Sequence, residues 1–377
     1  MSKAAELAAL IGSQSALSNR NLIINGAMQV AQRGTSATVG PNGTGESYTT
    51  VDRWNNPLNG AVVSTFSQST DSPSGFANSA KIEITTADTS LSSGEFWFFR
   101  TQLEGQNLQQ IAKGTSDAKA LTLSFWVKSN KTGTYSIELA DLDNTRSNSM
   151  AYTVSSSNTW EHKTLTFNAD TSGAFDNDNA ASLGIYFWLV ADSQYQGGTF
   201  YDGTWGATTD ANRVHSSQVN FGDTVGNEWY VTGIQLEVGE QATPFEHRSF
   251  GDEYNRCLRY TYVPRNDSVS AADGTTIANG ECHSSSSGVY WADFPVPMRD
   301  IPTLAVTSTA SAIEQAYHNG TVTSHNVTAM SYIATISGNL KGCFSVGSAS
   351  FSGGEGAHCR YATGNIADNI IVFSAEL

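Results

Sequence analysis

The 377-residue sequence has little charge, little cysteine and no long apolar run. Charged residues make up 15%, against roughly 25% in an ordinary soluble domain. The four cysteines are too few for a disulfide framework in a chain of this size. No run approaches the roughly 18 apolar residues of a membrane-spanning helix, and the first residues read poorly as a signal peptide. We therefore expect a chain made in the cytoplasm, without membrane insertion.

Basic residues are also scarce. Lys and Arg total 20 against 35 Asp and Glu, a net charge of −15, and both the first 250 residues and the remainder carry an acidic excess. Nucleic-acid binding draws on basic residues that neutralise phosphates. We accordingly expect no nucleic-acid partner, and an anionic membrane surface would repel the chain.

Aromatic residues and glycine are abundant, with 17 Phe, 14 Tyr, 8 Trp and 34 Gly. Strand-like runs rich in β-branched and aromatic residues are separated by turn-forming clusters, and this pattern predicts an all-β fold of antiparallel sandwiches. The clearest runs are 121–128, 135–139, 163–167, 183–190 and 228–238, and in the last third 288–296, 302–308, 330–337 and 369–375.

The exceptions to the β pattern divide the chain. Near the N-terminus Leu7, Ala8 and Ile11 follow the spacing of one helix face, which predicts a helical anchor or oligomerisation segment within residues 1–19. A frayed terminal turn is the alternative. A second helical pattern predicts a linker over 250–262. We expect a jelly-roll sandwich over 20–249 and a smaller β-sandwich head over 263–377.

Two segments carry a family resemblance. They are Asn21–Met28 with Tyr48–Trp54, and Val231–Gly239 continuing to Arg248. Together they resemble the opening and closing strands of a domain found in tail fibres and other structural proteins of tailed bacteriophages, which is similar to jelly-roll carbohydrate-binding modules. The resemblance implies that the two segments pair antiparallel and bring the ends of the domain together. It also implies a homotrimer.

A long loop, 191–218, is the candidate binding site. Sugar rings stack on aromatic faces, and amides or carboxylates bind their hydroxyls. The loop supplies Tyr195, Tyr201 and Trp205 beside Asp202 and Asp210. The alternative is that these aromatics pack the loop onto the sandwich. The strand aromatics Phe96–Phe98, Trp126 and Trp188 are interpreted as core.

Metal and catalytic signals are weak. Asp141–Asn144 and Asp176–Asn179 are acidic turns that could bind Ca²⁺, but neither continues into an EF-hand, and such residues also suit tight turns. The sequence therefore favours no cofactor, with Ca²⁺ as an open alternative. Cys282-His283 and His358-Cys359 are unfavourable as zinc ligands. Neighbouring residues of a strand point to opposite faces, so both members of a pair could not easily reach one metal ion. No motif of a hydrolase or phosphate-binding loop occurs, and we expect a protein that is not an enzyme.

These observations lead to one leading hypothesis. The chain is expected to be a virion fibre or spike protein that recognises a host-surface receptor. The expected receptor is a glycan, bound by the loop or by loop tips of the C-terminal head. The N-terminus would bind other virion proteins. A structural connector without sugar binding and a polysaccharide depolymerase are the alternatives.

Overall fold

The structure is a computed structural model that describes residues 19–42, 48–264, 276–282, 284, 286–306, 313–318, 322–326, 329–333, 337–347, 356–361 and 371–377. The predicted anchor residues Leu7, Ala8 and Ile11 lie outside this part. The chain forms two compact units, one up to Glu253 with Leu377 and one from Tyr254 to Glu376. The division falls inside a helix, α2 (Phe250–Leu258), where the sequence predicted a linker.

The first unit is built from short and medium strands. In chain order they are β1 (Ser36–Val39), β2 (Leu58–Asn59), β3 (Val63–Ser69), β4 (Ser79–Thr86), β5 (Phe96–Glu104), β6 (Leu121–Ser129), β7 (Gly133–Asp141), β8 (Arg146–Val154), β9 (Glu161–Phe167), β10 (Ala181–Ala191), β11 (Gly206–Ala207) and β12 (Glu228–Val238). Helix α1 spans Ser193–Gln196, and single 3₁₀ turns span Gly105–Asn107, Gln109–Ile111, Asp210–Asn212 and Phe221–Asp223.

These strands form two antiparallel sheets. Sheet 1 has the order β1-β3-β4-β12-β6-β9, and sheet 2 has the order β11-β8-β7-β10-β5-β2. Between them lies an aromatic core. Trp54 stacks on Phe99 with ring centroids 4.7 Å apart, and Phe99 and Phe187 of sheet 2 both contact Trp229 of sheet 1. The predicted β-sandwich is therefore present, with a core that both sheets share.

The two ends of the sandwich lie side by side, as predicted. The Leu22 N–H donates to the Leu236 carbonyl, and the Ile234 N–H donates to the Gly26 carbonyl, each at 3.0 Å. These two bonds run in antiparallel order. The Asn21 side chain adds two more, accepting from the Leu236 N–H and donating to the Ile234 carbonyl. The opening segment is thereby fixed to β12 although it forms no regular strand.

The outer face of sheet 2 is covered by residues 193–218. Tyr195 and Val214 pack on Phe98, Tyr186 and Trp188. Beneath them the fully buried Glu138 carboxylate accepts from Arg213 Nε at 3.0 Å and from Trp188 Nε1 at 3.0 Å. Burial alone would lower the pKa of Arg213, but Glu138 outweighs it and the pKa is raised. This face of the sandwich is closed.

The second unit is a smaller all-β body. Its described strands are β13 (Thr261–Tyr262), β14 (Thr276–Cys282), β15 (Ser287–Asp293), β16 (Thr303–Val306), β17 (Ile313–His318), β18 (Val322–Asn326), β19 (Ala329–Tyr332), β20 (Lys341–Gly347), β21 (Gly356–Tyr361) and β22 (Ile371–Ser374). They form the sheets β13-β22-β16 and β18-β17-β21-β14-β15-β20-β19. Tyr290, Phe294 and Phe373 belong to the buried cluster that joins these sheets.

Cys257, Cys282, Cys343 and Cys359 are buried thiols outside any disulfide, as expected of cysteines that pack as small hydrophobic residues. Burial raises the pKa of the Cys343 thiol and raises that of the Cys359 thiol to about 12. Over the residues that the structure describes, no helix is both long enough and apolar enough to cross a membrane.

Candidate functional site

A groove of about 580 Å³ opens on the outer face of sheet 1. Its floor is made by β6 and β9. Its wall is made by two loops, the one between β3 and β4 that carries Phe76 and the one after β12 that carries Phe245 and His247. The lining residues are Ser74, Gly75, Phe76, Ser124, Trp126, His162, Thr164, Gly233, Ala242, Thr243, Pro244, Phe245 and His247. The groove therefore combines aromatic rings with small polar side chains.

Strand alternation places Trp126 on the floor. In β6 the side chains of Leu121, Leu123, Phe125 and Val127 belong to the buried core. Because neighbouring strand residues point to opposite faces, Trp126 faces outward. It pairs with His162 of β9, and the two ring centroids lie 5.1 Å apart. The interpretation of Trp126 as a core residue was therefore wrong, whereas Trp188 is fully buried as predicted.

A β-bulge at Gly233 shapes the bottom of the groove. The pairing of β12 with β6 shifts between Thr232, opposite Trp126, and Gln235, opposite Ser124. Gly233 has a φ of 62°, in the left-handed region that glycine adopts without a steric penalty. A Cβ on this residue would lie 2.6 Å from the Phe76 ring and 3.2 Å from Trp126. The missing side chain thus lets both rings approach the strand.

The wall is a cluster of three rings from two loops. The ring centroids of Phe76, Phe245 and His247 are 4.9–5.1 Å apart. Phe76 and Phe245 are half-buried, and His247 is exposed. Such packing leaves ring surface towards the groove while each ring supports the others.

Hydrogen bonds hold the loop that carries Phe245 and His247. The Gln235 side chain accepts from the Glu246 N–H at 2.7 Å and donates to the Thr243 carbonyl at 3.2 Å. Glu237 accepts from the Thr243 N–H at 2.9 Å and from Gln235 Nε2. Because the bulge turns Gln235 and Glu237 to the outer face, they can bind this loop. The wall is therefore positioned by the strand that also closes the sandwich.

The other loop is fixed to the same strand. Thr232 Oγ1 donates to the Asn78 carbonyl at 2.7 Å, and Ser72 Oγ donates to the Phe76 carbonyl at 2.6 Å. The Phe76 N–H donates to the Pro73 carbonyl at 3.1 Å, which closes a turn. Phe76 is thereby held over the groove by hydrogen bonds to its own N–H and carbonyl, in a loop that Thr232 fixes to β12.

One end of the groove is bordered by a charge pair between aromatic rings. Lys128 Nζ binds the Asp71 carboxylate and lies 4.3 Å from the centroid of Tyr230 and 5.4 Å from that of Trp160. Trp160 Nε1 donates to Asp71 at 3.1 Å. The bond from Lys128 is the main cause of a lowered Asp71 pKa. The aromatic surface thus continues along the outer face beyond His162.

The structure places the loop residues predicted to bind a glycan elsewhere in the unit. Tyr195 is only 7% exposed and packs on Phe96 and Trp188, and burial raises its pKa. Asp210 is exposed and accepts from Gln194 and Arg213. These positions agree with a packing role for Tyr195 and with a surface role for Asp210.

The tip of the same loop holds the other three. Tyr201 Oη donates to the Ala207 carbonyl at 2.6 Å and accepts from the Thr209 N–H at 2.9 Å. Trp205 Nε1 donates to the Asn168 carbonyl at 2.9 Å, and Asp202 is exposed. Tyr201 and Trp205 are half-buried, and none of the five residues lines the groove. A glycan role for them stays a prediction.

The acidic turn at 141–144 is organised around an ammonium group. Lys113 Nζ lies 2.5 Å from Asp141 Oδ2, 3.1 Å from Asp170 Oδ2, and 2.9 and 2.7 Å from the carbonyls of Ser172 and Gly173. Asp141 Oδ1 also accepts from the N–H groups of its own turn. Lys113 thus holds the position in which the sequence allowed a calcium ion.

The second acidic turn has a different arrangement. The Asp176 N–H donates to Asp143, and the Asp178 carboxylate accepts from the Ala180 N–H. The first bond joins this turn to the turn at 141–144, and the second is the local bond of an ordinary Asp-containing turn. Within the described ranges, no group of three or more His, Cys, Asp or Glu side chains is placed to hold a metal ion.

Comparison with known proteins gives no family. No family model and no curated protein matches the chain. Among solved structures, the enzymatically active domain of tailspike protein 4 of bacteriophage CBA120 is 14% identical with a TM-score of 0.30; the match covers 58% of this chain and 21% of that one. The chain thus spans about a fifth of the length of that tailspike structure.

Two carbohydrate-binding modules are also similar. TmCBM61, solved with β-1,4-galactotriose, is 8% identical over 58% of this chain and 99% of that one, with a TM-score of 0.30. A family 11 module from Clostridium thermocellum, solved with a β-1,3-1,4-mixed-linked tetrasaccharide, is 12% identical over 56% and 98%, with a TM-score of 0.26. Similarities this low assign neither a family nor a ligand to the chain.

Proposed function

We propose that the first unit binds a glycan in the groove on sheet 1. The observation that carries this proposal is the outward-facing indole of Trp126, set between His162 and the wall of Phe76, Phe245 and His247. Aromatic faces stack on the C–H surfaces of sugar rings. Ser124 and Thr164 supply hydroxyl groups for the hydroxyls of the ligand.

The lining favours binding over cleavage. Glycoside hydrolysis typically uses two carboxylates on either side of the scissile bond. Among the thirteen described lining residues there is neither Asp nor Glu. The depolymerase alternative is tested by incubating the protein with polysaccharides and measuring new reducing ends, which we expect to stay at the level of the buffer control.

In the wider setting, we propose that the chain is a fibre or spike protein of a tailed bacteriophage that attaches to a host-surface glycan. Support comes from the resemblance of residues 21–28 and 231–239 to the ends of such domains. An open groove of this kind gives millimolar affinity, about −4 kcal/mol. Repeated copies raise the avidity by orders of magnitude, which favours a homotrimer. Residues 1–19 would attach the chain to other virion proteins.

The test uses the full chain, the variant Trp126→Ala and the control Trp291→Ala. Trp291 is 40% exposed on β15 of the second unit and lies outside the groove. Calorimetric titration with a panel of glucans, galactans, mannans and xylans should give binding that Trp126→Ala weakens roughly thirtyfold and that Trp291→Ala leaves unchanged. Equal binding by both variants would contradict the groove. If soluble wild-type protein fails to block phage adsorption, the connector alternative is favoured.

A further inference from the structure

The lining of the groove is uncharged apart from two imidazoles. Eleven of its thirteen residues are Gly, Ala, Pro, Ser, Thr, Phe or Trp, and the other two are His162 and His247. The pKa of His162 is lowered, because contact with its surroundings removes water from the ring. No charged side chain contributes to that shift. His162 therefore presents a neutral ring at neutral pH.

The charges that border the groove are bound within the protein. Lys128 is paired with Asp71 and lies between two rings. Glu237 accepts from Gln235 and Thr243. A carboxylate on a ligand would have to displace Asp71 before it could form an ion pair with the buried Lys128.

Arg20 is the cation bonded to the wall itself. Its Nη1 donates to Thr243 Oγ1 at 2.6 Å, and its Nη2 donates to the Pro244 carbonyl at 3.4 Å. Both bonds hold the loop that carries Phe245. If the groove did accept an acidic sugar, Arg20 is the residue that would have to turn towards it.

The net negative charge of the whole chain also disfavours an acidic ligand. The net charge of −15 repels a polyanion during its approach, whereas a neutral chain is unaffected. Contacts between sugar C–H groups and rings, and hydrogen bonds to hydroxyls, depend little on salt.

From these observations, and resting on the proposed glycan binding, we infer that the groove selects uncharged sugars and rejects sugars that carry carboxylate, sulfate or phosphate groups. Selectivity follows because none of the described lining residues, the neutral imidazoles included, carries a charge that could replace the water around an anionic group. The ligand is recognised by ring surfaces and hydroxyls alone.

The test compares matched ligands at pH 8, where histidine side chains are neutral. Acidic polysaccharides (polygalacturonate, alginate, hyaluronan) are titrated before and after chemical reduction of their carboxylates to alcohols, alongside the neutral panel. We expect at least tenfold tighter binding of a neutral or reduced polysaccharide than of its acidic form, and the same affinity in 50 and 500 mM NaCl. Trp126→Ala should weaken the binding roughly thirtyfold.

The two proposals fail in different ways. The selectivity is overturned if an acidic polysaccharide binds as tightly as its reduced form and if both Trp126→Ala and Arg20→Gln weaken this binding. The groove would then remain the binding site. Binding that Trp126→Ala does not change, or binding to no member of the panel, overturns the groove itself.

Discussion

The indole ring of Trp126 and the imidazole ring of His162 lie 5.1 Å apart at cross-strand positions of β6 and β9, tilted by 56°. The two rings form a continuous aromatic surface on the outer face of sheet 1. Cross-strand pairs are fixed by the register of the sheet, so neither ring needs a ligand to find its place. The groove is therefore preorganised on two strands of the sandwich.

Removal of the indole tests how much the Trp126–His162 pair contributes to glycan binding. Trp126→Ala should weaken glycan binding by about 2 kcal/mol, roughly thirtyfold in Kd, because a rigid aromatic contact at the centre of the site is lost. His162→Ala should cost less, and the double variant should lose less than the sum of both, since the rings support each other. Calorimetric titration of the three variants measures this. Strict additivity would show that the two rings act independently.

Gly233 tests how the bulge shapes the groove. In Gly233→Ala the new Cβ would lie 2.6 Å from the Phe76 ring, so this ring must move. Gly226 is the matched control, with a φ of 82° and no atom within 4 Å of an added Cβ. Both substitutions strain the backbone by about 1–2 kcal/mol. Both should therefore lower the melting temperature, but only Gly233→Ala should weaken binding. Equal binding by the two variants would show that the bulge does not shape the site.

Lys113 provides a prediction about cations. Lys113→Ala leaves the buried Asp141 carboxylate without its ammonium partner, which should cost about 3–5 kcal/mol of stability. The oxygens around the emptied position are hard ligands of the kind that calcium prefers. Millimolar calcium should therefore raise the melting temperature of Lys113→Ala but not that of the wild type. The control is Lys119→Ala, an exposed lysine of the same segment. A calcium response in that variant would point to nonspecific surface binding.

Acid should destabilise the first unit through Asp170. Burial alone would raise the pKa of Asp170, but bonds from Arg146, the Ser172 N–H and Lys113 outweigh it, so the pKa lies below its ordinary value of 3.8. A folded pKa below the unfolded one contributes stability above about pH 4, and this contribution is lost as the pH falls through the folded pKa.

The variant Asp170→Asn isolates this contribution. It should be less stable than the wild type by about 1.5–3 kcal/mol at pH 7, because bonds to a charged acceptor are weakened. Urea unfolding between pH 7 and pH 3 should show that the difference narrows in acid. A difference that stays constant over this range would mean that the charge of Asp170 does not stabilise the fold.

Much of the fold was predictable because it follows from local patterns. The runs at 121–128, 183–190 and 228–238 became β6, β10 and β12 with small changes at their ends. The pairing of the segments near Leu22 and Leu236 was predicted because both segments resemble the opening and closing strands of a domain found in structural proteins of tailed bacteriophages. What the residues alone could not show is which outer face a loop would cover. Residues 193–218 cover Trp188 on sheet 2, whereas none of the loops that the structure describes covers Trp126 on sheet 1 in this way.

Two signals for the groove were nevertheless present in the sequence. The alternation of Leu121, Leu123, Phe125 and Val127 puts Trp126 on the opposite face of the strand. In β12 the apolar residues Val231 and Ile234 are three positions apart, with Gly233 between them, and this break in the alternation is typical of a bulge. The packing of Tyr195 depends on contacts with distant strands, which no local pattern contains.

The most direct test distinguishes the groove from the 191–218 loop in one experiment. The full chain is labelled with 5-fluorotryptophan, and the ¹⁹F signals of its eight tryptophans are assigned by single substitutions. A neutral polysaccharide that binds in the titrations is then added. It should shift the ¹⁹F signal of Trp126 and leave the signals of Trp188 and Trp205 unchanged. A shift of Trp205 with an unchanged Trp126 would contradict the groove and return the site to the loop.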